Sequence, residues 1–263
     1  MKLKFIALSN AISVVIALFI SYYTQAVKLN GNTMGSLSHK YANLFTPADY
    51  AFAIWGLIYL GLLALVGYQL YQVFYAKNDF EFMSKSKYWF VIANLATASW
   101  VVLWLYEYTA LSIVVMFIIL FALIKIILKT NMERWNAPLT TLAFGWWPIS
   151  LYAGWIAVAT IANIAAYLAK IGWDGAFFTE TQWTLIMIVV ATVLNIVLIY
   201  TRNMREFAAV GIWGLIAIYM RHYSSENLIA FTALAGAILI GLNAGYHGFI
   251  NRKQNVMYRM INK

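Results

Sequence analysis

The chain has no cysteine, which excludes disulfides, thiolate nucleophiles and cysteine-ligated metals and leaves the redox compartment open. Charge is scarce: 10% of the 263 residues are Asp, Glu, Lys or Arg, where a soluble domain carries about 25%. Only nine residues are acidic and three are histidine. Metal-assisted hydrolysis needs clustered His, Asp or Glu, and His39, His222 and His247 show no such spacing. General acid–base chemistry needs a positioned titratable pair; Asp49 and Glu107 read instead as hydrated carboxylates at helix ends. No lysine lies at the middle of a late apolar run to carry a Schiff base, and no glycine-rich phosphate loop is present. The expectation is therefore no catalytic residues, no metal and no enzymatic activity.

What the chain does have is apolar surface. Hydrophobic residues make up 63% and the mean hydropathy is +0.75. No soluble core of this size buries so much, so lipid must be the solvent for much of it. A membrane span needs about 20 mostly apolar residues. Eight runs qualify: Phe5 to Ala26, Tyr50 to Tyr75, Tyr88 to Tyr106, Ala110 to Leu128, Leu139 to Ala169, Trp183 to Tyr200, Phe207 to Met220 and Asn227 to Ile250. The seventh is short, and spans only if Arg205 and Arg221 at its flanks reach outward to the interfaces. The fold class expected is all-α, a polytopic transmembrane helix bundle of about eight spans.

Charge placement gives the orientation. With the N-terminus in the cytoplasm, fourteen of the eighteen Lys and Arg fall on that side, and only Lys28, Lys40, Lys170 and Arg221 on the other. An excess of Lys and Arg in cytoplasmic loops is the main determinant of topology. This predicts a plasma- or inner-membrane protein with both termini cytoplasmic, ending in a basic tail with Arg252, Lys253, Arg259 and Lys263. The net charge of +9 then belongs to helix ends facing anionic lipid and calls for no nucleic acid. Residues 1–26 read as a retained helix, because the apolar run exceeds the h-region of about 7–15 residues in a cleaved signal peptide. Val27 to Asp49, the longest connection, lies on the outer face and reads either as a lid or as a solvated connector.

Eleven tryptophans stand out. Trp89, Trp173 and Trp183 fall at predicted helix ends, where interface anchoring explains them. Seven others lie inside spans. Trp55 falls roughly 8 Å below the outer start of its helix, and Trp100 and Asn163 about 9 Å below the outer ends of theirs, at 1.5 Å per residue. Tyr59 and Thr97 lie about one turn deeper. Trp55 with Tyr59, Trp100 with Trp104, and Trp155 with Ala159 and Asn163 each form rows at four-residue spacing. Three helices thus offer aromatic faces with sparse polar groups at similar depth, the composition of a ligand pocket.

These residues carry a resemblance. Phe45-Thr46-Pro47 is followed by Trp55 eight residues after the proline and Tyr59 four further on. The fifth span reads Trp155-x-x-x-Ala159-Thr160-x-x-Asn163, and the third has Trp100 and Trp104. Together they resemble the TspO/MBR family, the tryptophan-rich sensory or translocator proteins: its proline–tryptophan–tyrosine signature after the first loop, its last-helix motif and the paired aromatics of its third helix. The resemblance covers Phe5 to Ala169. Asp49 stands where the family has tryptophan, Ala53 in place of a second proline and Thr97 in place of asparagine, and Pro148 precedes Trp155 by seven residues rather than four.

The resemblance implies a TspO-like five-helix unit over residues 1–169. Residues 170–263 would add three C-terminal spans and the basic tail, which have no counterpart in the short members. It also implies a planar lipophilic ligand, a porphyrin, haem or sterol-like molecule, held in a pocket under the first loop, often within a homodimer, with no required cofactor. The ligand-binding residues expected are Asp49 at the mouth, Trp55, Tyr59, Trp100, Trp104 and Trp155 as aromatic walls, and Thr97 and Asn163 as hydrogen-bonding groups. His39 and His222 share the outer face and stay open to a loose haem or metal contact. The role is sensing, sequestration or translocation, with membrane lipids as partners. A secondary transporter of a small solute is the second reading, hinted at by Pro148 and the short seventh span; a lipid-modifying enzyme is the third. In the eighth span Ala233, Ala237, Gly241 and Gly245 recur every four residues, a spacing for close helix packing, and His247 is expected to reach toward the interface.

Overall fold

The computed structural model describes residues 2–78 and 80–252, and all regular structure among them is helical. Eight long helices are α1 (Lys2–Ala26), α2 (Ile54–Tyr71), α3 (Tyr88–Leu105), α4 (Thr109–Lys129), α5 (Trp147–Lys170), α6 (Glu180–Arg202), α7 (Arg205–His222) and α8 (Asn227–Ile250). Seven stretches among the described residues are long and apolar enough to cross a membrane: Leu3–Ala26, Asp49–Ala76, Tyr88–Leu105, Thr109–Lys129, Leu139–Lys170, Glu180–Arg202 and Asn227–Ile250. Helix α7, which carries Arg205, Glu206 and Arg221 within its 18 residues, is not among them. The tail residues Lys253, Arg259 and Lys263 lie outside the described residues.

The burial pattern is that of a membrane protein. On α1, Phe5, Leu8, Ile12, Val15 and Phe19 face outward, while Asn10 and Ser13 are fully buried. On α4, Leu111, Val114, Phe117 and Phe121 are exposed, and Ser112 is buried. Polar groups inside and large apolar groups outside is the arrangement lipid selects, since no water is there to satisfy a polar side chain. The chain is an integral membrane protein.

The described residues form two compact units. The first takes the chain up to Lys40, then Trp55–Met132 and Thr140–Ile149. It contains α1 to α4, with α3 packed on both α1 and α4. Helix α2 ends in a π turn, Gln72–Ala76, that Lys77 closes at φ 53°. A second π stretch, Leu142–Trp146, precedes Pro148, whose missing N–H breaks the regular ladder. Gly61 lets α2 pass close to that proline: a Cβ there would lie 3.3 Å from Pro148 Cβ.

The second unit takes Tyr41–Ile54, Glu133–Leu139 and the described chain from Ser150 on, so α5 belongs largely with α6, α7 and α8. A capping box starts α6: the Gln182 N–H donates to Thr179 Oγ1 and the Thr179 N–H to Gln182 Oε1. Asn203, at φ 59°, ends it. Helices α6, α7 and α8 bury Ile188, Ile199, Leu215, Ile218, Ala233 and Ala237. Close approach rests on glycine: a Cβ on Gly211 would sit 2.5–2.7 Å from the Asn195 amide, and one on Gly236 2.5 Å from Thr192 Oγ1. Of the small-residue row on α8, Ala233 and Ala237 serve this packing, whereas a Cβ on Gly245 would meet nothing within 4 Å.

Candidate functional site

Pro47 is followed by a short 3-10 helix, Asp49–Ala53, which feeds directly into α2. That start sets the phase of α2, and residues four apart share a face. Trp55 and Tyr59 therefore stand one above the other, with ring centroids 5.6 Å apart and planes 27° apart. On α3, Trp100 and Trp104 do the same at 6.3 Å and 21°. The two helices join through Trp55 and Trp100, at 6.4 Å and 26°. The result is a ladder of four rings, all near parallel, an offset-stacked arrangement worth about 0.5–1.5 kcal/mol per pair beyond burial. Tyr59, Trp100 and Trp104 are buried, while Trp55 is only half-buried and presents the accessible ring.

Helix α1 fixes the ladder from the side. The Tyr59 hydroxyl shares a 2.6 Å hydrogen bond with Ser21 Oγ and lies 3.3 Å from the Ala17 carbonyl, to which it can donate. The first half of the long connection between α1 and α2 is ordered over the end of α3. It forms a 3-10 turn, Leu29–Gly31, and a short helix, Met34–Lys40. Asn30 Nδ2 and Asn32 Nδ2 both donate to the Leu105 carbonyl, next to Trp104, at 3.2 and 3.1 Å. Lys40 Nζ pairs with both Glu107 oxygens at 2.8–2.9 Å. This half of the connection is a built cap on the end of α3, tied down by backbone-directed amide bonds and an ion pair.

Inward from the ladder, the seam between α1, α2 and α3 turns polar. Thr97 is buried one turn below Trp100, its hydroxyl donating to the Ala93 carbonyl at 3.0 Å. Asn94 follows, with Nδ2 bonded to the Phe90 carbonyl at 2.9 Å and 3.4 Å from Ser13 Oγ. Asn10 Nδ2 donates to Gln69 Oε1 at 2.9 Å. Asn10, Gln69 and Asn94 have no exposed surface at all, yet Asn10 Oδ1, Gln69 Nε2 and Asn94 Oδ1 find no partner among the protein's own atoms. Sequence reasoning missed Asn10, Ser13, Ser21, Gln69 and Asn94. The available signal was an amide within an otherwise apolar run, which in a membrane marks function by default.

The remaining expected residues belong to the second unit. Asp49 is exposed at the start of its 3-10 helix. Trp155 is buried against the edge of Phe52, with centroids 6.3 Å apart and planes 85° apart, and its Nε1 finds no partner among the protein's atoms. Asn163 is buried two turns further along α5. The structure thus stacks Trp55, Tyr59, Trp100 and Trp104 with Thr97 beneath them, and it groups Asp49, Trp155 and Asn163 in the other unit. Among the described residues no three His, Asp or Glu side chains are arranged to hold a metal. His247 does not reach the interface as expected: it is buried, with Tyr200 edge-on to its ring at 5.5 Å. The edge contact and the packing of α8 on α6 hold it inside.

The chain was compared with known proteins. A family model described as TSPO-like protein matches residues 6–246. The match runs on through α6 and α7 and into α8, past the five-span segment that carries the sequence motifs. No curated protein and no solved structure matches the chain.

Proposed function

This chain belongs to the TSPO-like protein family, and on that premise we propose that it binds a planar lipophilic ligand, porphyrin- or haem-like in shape, against the aromatic ladder of α2 and α3. One observation carries the reading: four indole and phenol rings lie within 21–27° of parallel, and the half-buried one, Trp55, is in the middle of the stacking order. Parallel rings favour a flat, polarisable partner over the puckered rings of a sterol. The ligand's polar edge points inward. Asn94 lies six residues below Trp100, about 9 Å at 1.5 Å per residue, within reach of a porphyrin's carboxylate arms. The cap held by Asn30, Asn32 and the Lys40–Glu107 pair closes over the outer end. The protein acts by binding rather than turnover, needs no cofactor, and serves sensing, sequestration or translocation. It sits in the cell membrane with the ladder toward the outer leaflet and, α7 crossing as an eighth span, with both termini cytoplasmic, the side the Lys and Arg distribution favours, and it works as a homodimer surrounded by lipid.

Tryptophan fluorescence in nanodiscs tests this. Protoporphyrin should quench the parent protein saturably at micromolar concentration. Trp55→Ala and Trp100→Ala should weaken binding at least tenfold, while Trp183→Ala leaves it intact. Equal quenching in all three variants would place the porphyrin in bulk lipid and end the proposal.

A further inference from the structure

The second unit contains its own cavity, of about 430 Å³, made by the outer half of α5, the first turns of α6, the 171–179 connector and the segment around Asn43. That volume falls in the range of small-molecule sites, about 300–1,000 Å³. Its depth is hydrocarbon: Ile161, Ala165, Leu168 and Met187 line it. Its rim is different. Trp173 and Trp183 stand there with centroids 5.6 Å apart and planes 47° apart, an angled pair of indole faces. Two carboxylates, Asp174 and Glu180, share the rim.

The rim is a built structure. Gly175 turns the connector at φ 87°, and a Cβ there would strike the Phe178 carbonyl, so the turn requires glycine. Trp183 Nε1 donates to the Gly175 carbonyl at 2.8 Å, which pins the indole. Asp174 Oδ1 accepts the Ala176 N–H at 3.1 Å, and Glu180 Oε1 accepts the Leu44 N–H at 2.9 Å. Each carboxylate is thus oriented through one oxygen and retains a second. Lys170, one turn back on α5, is held 5.5 Å over the ring of Tyr41 and is not part of the lining.

Indole faces attract cations through the ring quadrupole, and quaternary ammonium groups are the ligands such aromatic pairs recognise best. Carboxylates beside them add charge complementarity, and an apolar shaft behind them demands a hydrocarbon or aryl body. We propose that this cavity binds a lipophilic amine, with its apolar body between α5 and α6 and its ammonium head against the cavity-facing side of the Trp173–Trp183 pair, facing Asp174 and Glu180. The head belongs either to a free amphiphilic amine or to an ammonium lipid. The site is distinct from the aromatic ladder and stands or falls independently of it.

The test is equilibrium dialysis of radiolabelled 4-phenylbutyl-trimethylammonium against purified full-length protein in maltoside micelles, with protein-free micelles as the blank. The neutral isostere, carbon in place of nitrogen, is measured alongside. Saturable one-to-one binding of the cation is expected, at least tenfold tighter than that of the isostere. Asp174→Asn and Glu180→Gln should each weaken the cation about tenfold and leave the isostere unmoved. Both amides can still accept the backbone N–H bonds, so folding is preserved. Ala165→Trp, which fills the shaft, should abolish both. Displacement by added phosphatidylcholine but not phosphatidylglycerol assigns the head to a lipid; no displacement assigns it to a free amine. Equal affinity for cation and isostere, or cation binding unchanged in the two carboxylate variants combined, overturns the proposal.

Discussion

The buried amides of α1, α2 and α3 allow a prediction whose sign, not only its size, is diagnostic. Replace all three with apolar residues of matching shape: Asn10→Leu, Gln69→Met and Asn94→Leu. In the parent, Asn10 Oδ1, Gln69 Nε2 and Asn94 Oδ1 are buried without a partner in the protein. Each such atom costs at least about 1 kcal/mol relative to an apolar isostere, so their removal returns roughly 3 kcal/mol. Against this, the Asn10–Gln69 bond and the Asn94–Phe90 bond, both at 2.9 Å, and the weak Asn94–Ser13 contact at 3.4 Å are lost. Interhelical hydrogen bonds inside membranes average about 0.6 kcal/mol, and with the same value for the Phe90 bond the loss is about 2 kcal/mol. The triple variant should therefore be more stable by about 1 kcal/mol. Asn10→Leu alone should go the other way: it removes the unpartnered Asn10 Oδ1 but loses the Gln69 bond and leaves Gln69 Oε1 unpaired, a net cost of roughly 0.5 kcal/mol. Steric-trap or detergent-titrated unfolding in bicelles measures both. If the amides read the polar edge of the ligand, the stabilised triple variant should also bind protoporphyrin at least tenfold more weakly, the usual exchange of stability for function at a site. A triple variant less stable than the parent would refute the premise that these atoms are unsatisfied.

Two further predictions concern the second unit. Gly211→Ala drives a methyl group into the Asn195 amide, within 2.5–2.7 Å, and should destabilise by about 1–3 kcal/mol. Adding Asn195→Ala should recover about half of that, a coupling visible in a double-mutant unfolding cycle, and simple additivity would disprove the contact. Glu133, in the connection before α5, is half-buried and lies near the negative Glu206; the lost hydration and that charge, with Arg205 only partly offsetting them, push its carboxyl from 4.5 up to about 8. Between those values the folded state holds a proton that the unfolded chain has released. Stability from this group is complete below about pH 4.5 and is lost as pH rises through about 8, by a few kcal/mol at 1.36 kcal/mol per unit. Unfolding midpoints between pH 5 and 8.5 should fall with pH in the parent and flatten in Glu133→Gln.

The long helices were legible because a membrane leaves the backbone no alternative. Where water is absent, an apolar run of span length must satisfy its own N–H and C=O groups, so run and helix coincide. The eighth run, Asn227 to Ile250, matches α8 residue for residue, and the third and fourth runs match α3 and α4 to within one residue at each end. The junctions were not legible. The π turns at Gln72–Ala76 and Leu142–Trp146 arise where Lys77 and Pro148 interrupt the ladder, and hydropathy has no term for that.

Depth along a helix could be read from sequence, and rotation about its axis could not. Four-residue spacing put Trp55 and Tyr59 on one face of α2 and Trp100 and Trp104 on one face of α3, and that is geometry internal to each helix. Which faces meet is decided between helices. In water, hydrophobicity points the apolar face inward; in lipid, Phe5 and Ile12 are as well placed outside as Ala17 is inside, and that compass is gone. What remains is the sparse set of groups that lipid rejects. Asn10 and Ser13 define the inward face of α1, Gln69 that of α2, and Asn94 with Thr97 that of α3. Applied to the sequence, that rule turns the indoles of α2 and α3 toward one seam, because Trp100 lies three residues from Thr97, and Trp55 lies fourteen residues, close to four whole turns, from Gln69. The same rule says why the rim at Trp173 and Trp183 was hidden. It depends on Gly175 bending a connector back onto α6 and on one indole N–H finding one carbonyl, a contact with no periodicity to detect.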